Sequence, residues 1–208
     1  MKQAYLQATD VIDWDYPSVR SLAQDLGNQA GDDATAIAQM CFEWVRDQIR
    51  HSFDYQANPI TCRASDVLKH KTGYCFAKSH LLAALLRANS IPAGFCYQRL
   101  SFDDKGAPYT LHGFNGVHLP KIGWYRMDAR GNREGVDAQF TPPIEQLAFS
   151  LKLPEEADFP AVLPNPLPVI VRALDSDKTW DTVLSELPDL CPAEAEEHRL
   201  NQLPAKLS

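Results

Sequence analysis

The sequence predicts a mixed fold, helices first and antiparallel strands after, and three observations carry that reading. Apolar residues recur at three- and four-residue spacing before residue 50. A wholly apolar run then spans Leu81 to Leu86. Between residues 95 and 128 lie three stretches that are rich in aromatic or β-branched residues, or bounded by Gly and Pro.

The first helix is expected near Ser18–Gln29, entered through Pro17, with Gly27 and Gly31 marking its end. In the next, Ile37, Met40, Cys41, Trp44, Val45 and Ile49 form one face of an amphipathic packing helix. Residues 51–62 read as irregular. Ala64 to Leu68 starts a short helical turn with Ser65 or Asp66 as its cap. Lys71-Thr72-Gly73-Tyr74 breaks that turn and Cys75 opens a new helix. This helix is apolar over a wide arc, which predicts burial. It ends near Asn89-Ser90-Ile91-Pro92, because the residue before proline is pushed out of the α region.

The strands are expected at Phe95–Phe102, Tyr109–Leu119 and Trp124–Asp128, antiparallel because their connections are short. From residue 142 the character changes, and eight of the fifteen prolines follow residue 150. Residues 1–141 therefore read as a core and 142–208 as a Pro-rich extension wrapping it. That extension carries a strand-like Val169–Val171 and a short helix near Thr179–Leu187. Trp14, Trp44, Trp124 and Trp180 read as core anchors.

Composition narrows the function. A net charge of −7 and a pI of about 5.3, with no run of Lys or Arg, argue against nucleic acid or anionic membrane as the partner. The N-terminus shows no apolar signal region and no segment has the ~18 apolar residues of a membrane span, so a cytoplasmic protein is expected. Cys41, Cys62, Cys75, Cys96 and Cys191 contain no CxxC pair, which points to free thiols rather than to zinc or a dithiol redox site. His51, His70 and His80 make no metal-ligand spacing, and no cofactor is expected.

One cysteine stands apart. Cys75 follows a glycine-containing break at the first turn of a helix, where free N–H groups and the helix dipole favour an anion and hence a thiolate. His112 and His118 lie on one strand face about 20 Å apart, so at most one can serve Cys75. Asp128 ends the next strand. It shares a face with His112 directly opposite if the loop has five residues, or diagonally if the loop is the three-residue Pro120 to Ile122; a four-residue loop separates them unless a bulge restores the parity. In that constellation His112 takes the thiol proton and Asp128 orients the ring, with the Cys75 N–H as first oxyanion donor.

Ala64-Ser65-Asp66-Val67-Leu68, Gly73-Tyr74-Cys75, and the run from Leu81 through Arg87-Ala88 to Ile91-Pro92-Ala93 resemble the nucleophile segment of the transglutaminase-like superfamily. His112-Gly113-Phe114, Val117, Leu119, Gly123-Trp124 and Asp128 resemble its histidine and aspartate segments. The resemblance covers roughly residues 35–130 and selects His112 over His118. It implies an α+β papain-like fold, a Cys75–His112–Asp128 triad, and thioester chemistry that needs no metal. The expected substrate is a peptide, an isopeptide or a small amide.

Phe114 stands where the family usually has Trp, and Gly116 where it often has an acidic residue. Acyl transfer to an amine is the alternative chemistry. Its arylamine N-acetyltransferase version is disfavoured by Lys71-Thr72-Gly73 in place of Arg-Gly-Gly. A non-catalytic binding module on the same fold is the reading from another class.

Overall fold

The computed structural model describes residues 2–174 and 177–194. After a 3-10 turn at Lys2–Tyr5 come α1 (Pro17–Ala30), α2 (Ala34–Gln48), β1 (Arg50–His51), α3 (Ala64–His70), β2 (Thr72–Gly73) and α4 (Cys75–Ala88). The sheet strands follow: β3 (Ala93–Ser101), β4 (Tyr109–Leu119), β5 (Gly123–Met127) and β6 (Ala157–Asp158). Two short helices, α5 (Pro168–Ala173) and α6 (Trp180–Ser185), come last among the named elements. No helix among the described residues is long and apolar enough to cross a membrane.

Local chemistry explains most of these boundaries. Pro17 supplies the fixed φ of a first helical residue, and Gly31, at φ 80°, ends α1. Gly27 lies within the helix, against the Asn89 side chain. Asp33 caps α2, its Oδ1 accepting the Thr35 N–H at 3.0 Å. Cys41 and Val45 are buried as expected, joined by Ala38 and Phe42, while Ile37, Met40 and Trp44 flank them half-buried. The N-cap of α3 is Arg63 rather than Ser65 or Asp66; Asp13 instead accepts from the Ser65 N–H at 3.0 Å and from its hydroxyl.

Every residue of α4 from Cys75 to Arg87 is buried. Helices α1, α2 and α3 and strands β3 and β4 all pack against it. Leu81, Leu82, Leu85 and Leu86 are wholly enclosed, each contributing roughly 1.5–3 kcal/mol of transfer free energy. Its buried polar groups all find partners. Lys78 Nζ donates to the Arg46 and Ile49 carbonyls at the end of α2. Arg87 donates to the Ala93, Gln7 and Pro164 carbonyls. The helix is thereby tied to loops on both sides.

The sheet runs in the order β5-β4-β3-β6, all antiparallel. Leu119 pairs with Gly123, which makes the β4–β5 loop the three-residue Pro120–Ile122 connection. Gly116 lies where a Cβ would meet both Val162 methyls at 2.9 Å, so the later chain packs directly on β4 there. β1 and β2 form a separate parallel pair, with His51 opposite Gly73.

Two local expectations are corrected. Val169–Val171 is helical: Pro168 takes the first helical position, and burial of Ile170 overrides the β-branched preference. Trp124 is not a core anchor; it is 39% exposed and rests on Tyr5 and His118. Residues 195–208 of the extension lie outside the described residues.

Candidate active site

The start of α4, the middle of β4 and the end of β5 converge on one point. His112 Nε2–H donates to Asp128 Oδ2 at 2.7 Å. Ladder pairing ends at Asn115–Met127, so Asp128 lies one residue beyond and diagonal to His112. Asp128 is fully buried and receives two further bonds, Arg130 N–H to Oδ1 and Ala148 N–H to Oδ2, each 3.1 Å. With Nε2 engaged, Nδ1 is the ring nitrogen left for Cys75, which lines the same cleft as His112 and helps to raise the imidazole pKa. The ring is clamped by Phe114, stacked at 5.8 Å, and by Phe149, edge-on at 5.0 Å.

These contacts set the electrostatics. Burial works against charge on His112, but Asp128 and Cys75 outweigh it and raise the imidazole pKa. Burial likewise opposes charge on Asp128, yet His112 and the two backbone N–H groups hold its carboxyl below the usual range. Burial pushes the Cys41, Cys62 and Cys96 thiols up to about 12, which makes them poor nucleophiles.

Gly113 makes the meeting of helix and strand possible. A Cβ there would sit 2.5 Å from Phe76 Cδ1, so only glycine lets the residue after Cys75 lie against the strand beside His112. The Ser79 hydroxyl donates to the Cys75 carbonyl at 2.8 Å and lies 3.2 Å from the Gly113 carbonyl across the same seam.

The backbone N–H of Cys75, expected as a free oxyanion donor, is already engaged. It donates to His51 Nε2 at 3.2 Å. Burial first, then the positive groups Arg130, Lys78, His112 and Arg133, hold the His51 pKa well below its ordinary value. Asp54 stands beside it, gripped by both terminal nitrogens of the Arg130 guanidinium at 2.7 and 2.9 Å. Sequence reasoning missed His51, Asp54 and Arg130. His51 is placed by the two-residue β1–β2 pairing, which leaves no periodic signal, and Asp54 and Arg130 meet from loops after β1 and β5.

The site opens into a cleft of about 550 Å³. Its walls include Phe53, Leu100, Phe102, Val136 and Phe149, with Leu184 and Leu187 from the C-terminal segment. Tyr74 hydroxyl, beside Cys75, donates to the Trp180 carbonyl and anchors that segment. His118 lies elsewhere, near Lys2 and Trp124.

A helix opening on a cysteine and packed against an antiparallel sheet is the α+β arrangement of papain-like cores. The family model of the transglutaminase-like superfamily matches residues 20–129, and the chain belongs to that superfamily. Among solved structures it is similar to a candidate cysteine protease from Cytophaga hutchinsonii, with 22% identity and a TM-score of 0.48; 61% of this chain and 40% of that one are covered. It is also similar to the periplasmic domain of TgpA from Pseudomonas aeruginosa, with 20% identity and a TM-score of 0.45, covering 62% and 46%. The chain thus spans less than half the length of these structures. No curated protein matches it.

Proposed function

We propose that the chain is a cysteine peptidase or amidase that cleaves a peptide or isopeptide bond through a thioester, with Cys75 as nucleophile, His112 as base and Asp128 as orienter. The observation that carries this reading is the 2.7 Å bond from His112 Nε2 to Asp128, with Cys75 and the His112 ring lining one cleft.

The steps follow from those contacts. The Cys75 proton passes to His112, and the sulfur attacks the carbonyl carbon. An S–C bond forms and the π pair moves to oxygen. On collapse the amine leaves with the proton held by His112, and a thioester remains. Water, activated by the same imidazole, then releases the acid. Water is the default acceptor because the cleft is open to solvent. Transfer to an amine would use the same thioester.

The described residues after 142, in this proposal, wrap the core and complete the site, since Ala148 binds Asp128 and Leu184 and Leu187 wall the cleft. The thiols of Cys41, Cys62, Cys75, Cys96 and Cys191 are all free and suit a reducing compartment, so the cytoplasm is the proposed location.

The test is the rate of Cys75 alkylation by iodoacetamide as a function of pH, with peptide mapping to separate the thiols. Cys75 should react fast well below pH 8 and lose that advantage in His112→Ala. A Cys75 that reacts no faster than Cys191 and ignores the substitution would rule the reading out.

A further inference from the structure

Beside the nucleophile stands a second His–Asp pair, and it is open. His51 Nε2 accepts the Cys75 N–H at 3.2 Å. On the far side of the ring, Nδ1 is buried without a hydrogen-bond partner and faces Asp54 Oδ2 at 3.8 Å. A hydrogen bond there needs ~2.8 Å, so roughly 1 Å of slack separates the ring from the carboxylate. Asp54 itself is fixed, by Arg130 at 2.7 Å and by Arg133 at 3.5 Å. The His51 ring also rests edge-on against Tyr74, 5.6 Å between centroids.

This arrangement poses a chemical problem for acyl transfer. The tetrahedral adduct carries a negative oxygen that seeks the N–H at the nucleophile. That N–H is occupied, and the group occupying it presents a lone pair, which repels an oxyanion. The conflict disappears if the imidazole changes from acceptor to donor.

We propose that His51 is the second oxyanion donor of this site: on acylation the ring backs toward Asp54, gains a proton at Nε2, and gives that N–H to the oxygen now held by the Cys75 N–H. The inference rests on the reading of Cys75 and His112 given above. The balance is closed. The S–C bond forms as the carbonyl π pair moves to oxygen, and the thiol proton resides on His112. The His51 proton comes from solvent in the cleft and returns there when the C=O bond re-forms. During the adduct the imidazolium lies between two negative groups, the oxyanion and Asp54. At rest it is neutral, as burial and the nearby Arg130, Lys78, His112 and Arg133 require.

Two reagents separate this role from thiol activation. Iodoacetamide alkylates a thiolate by displacement at a saturated carbon and forms no oxyanion. p-Nitrophenyl acetate acylates through one, read as a burst of p-nitrophenolate. The ratio of acylation to alkylation rate at Cys75 cancels the folded fraction at a pH where only the folded protein reacts measurably with either reagent. It should fall about a hundredfold in His51→Ala, the usual loss for one oxyanion donor. His51→Gln, whose amide keeps an N–H, should recover at least tenfold of that loss.

A ratio unchanged within threefold in His51→Ala overturns the proposal, as does a glutamine variant no better than alanine. Wild-type protein that alkylates in a His112-dependent way yet never acylates overturns the oxyanion site and leaves the triad standing. A Cys75 that does neither overturns both.

Discussion

Phe76 lies against the bare Cα of Gly113, the residue that follows His112 on β4, and this contact fixes the distance between helix and strand at the site. A methyl group at 113 would meet the ring at 2.5 Å, so α4 or the ring must give way. Gly113→Ala should destabilise the protein by about 1–3 kcal/mol in urea denaturation. Adding Phe76→Leu should restore much of that loss. A change under ~0.5 kcal/mol, the range of ordinary surface substitutions, would show that the seam is looser than drawn.

Asp128 offers a sharper test of the charge arrangement. Asp128→Asn keeps the size but removes the charge that outweighs burial at His112. Iodoacetamide alkylation of Cys75 at pH 6.5 should fall at least about a hundredfold. An unchanged rate would mean that Asp128 only orders the loop through Arg130 and Ala148.

Lys78 and His112 pull stability in opposite directions as pH changes. Burial, ahead of Arg130's charge, lowers Lys78 to about 7, while Asp128, Asp47 and Asp54 act the other way. Between that value and the unfolded ~10.4 the unfolded chain binds the extra proton, so the Lys78 contribution grows with pH. The raised His112 contributes stability below its unfolded value near ~6.5 and loses it as pH climbs through the folded one. Lys78→Met removes the first effect and leaves the second. From pH 7.5 to 9.5 its urea midpoint should therefore drop relative to wild type. Equal changes in the two proteins would contradict the assignment.

Asp13→Ala tests a contact away from the chemistry. Asp13 serves α3 as a substitute cap through Ser65, and its loss should cost ~1 kcal/mol. Alkylation of Cys75 should stay within twofold. A parallel loss of reactivity would show that α3 transmits strain to α4.

Much of this was legible because the signals were local. Gly73-Tyr74-Cys75 before an apolar run announced α4, and aromatic and β-branched content with Gly and Pro bounds announced β4. Parity named two registers that would bring His112 and Asp128 together without forcing either, and the three-residue loop gives the diagonal one. Contacts between distant segments left no such trace. Asp13 reaches Ser65 across 52 positions, and Ala148 reaches Asp128 across 20. His51 meets Cys75 through a strand only two residues long, shorter than any alternation can reveal. At α5 the local preference pointed the wrong way, because packing of Ile170 decided the outcome.

The bond from the Ala148 N–H to Asp128 also imposes an order on biosynthesis. A nascent chain that has just released Asp128 already contains the cysteine, the histidine and the carboxylate. It lacks one of the donors that hold that carboxylate in place, and it lacks the Trp180 carbonyl that anchors Tyr74. The thiol is thus synthesised early and its surroundings are finished late, once Ala148 and Trp180 have emerged and folded back.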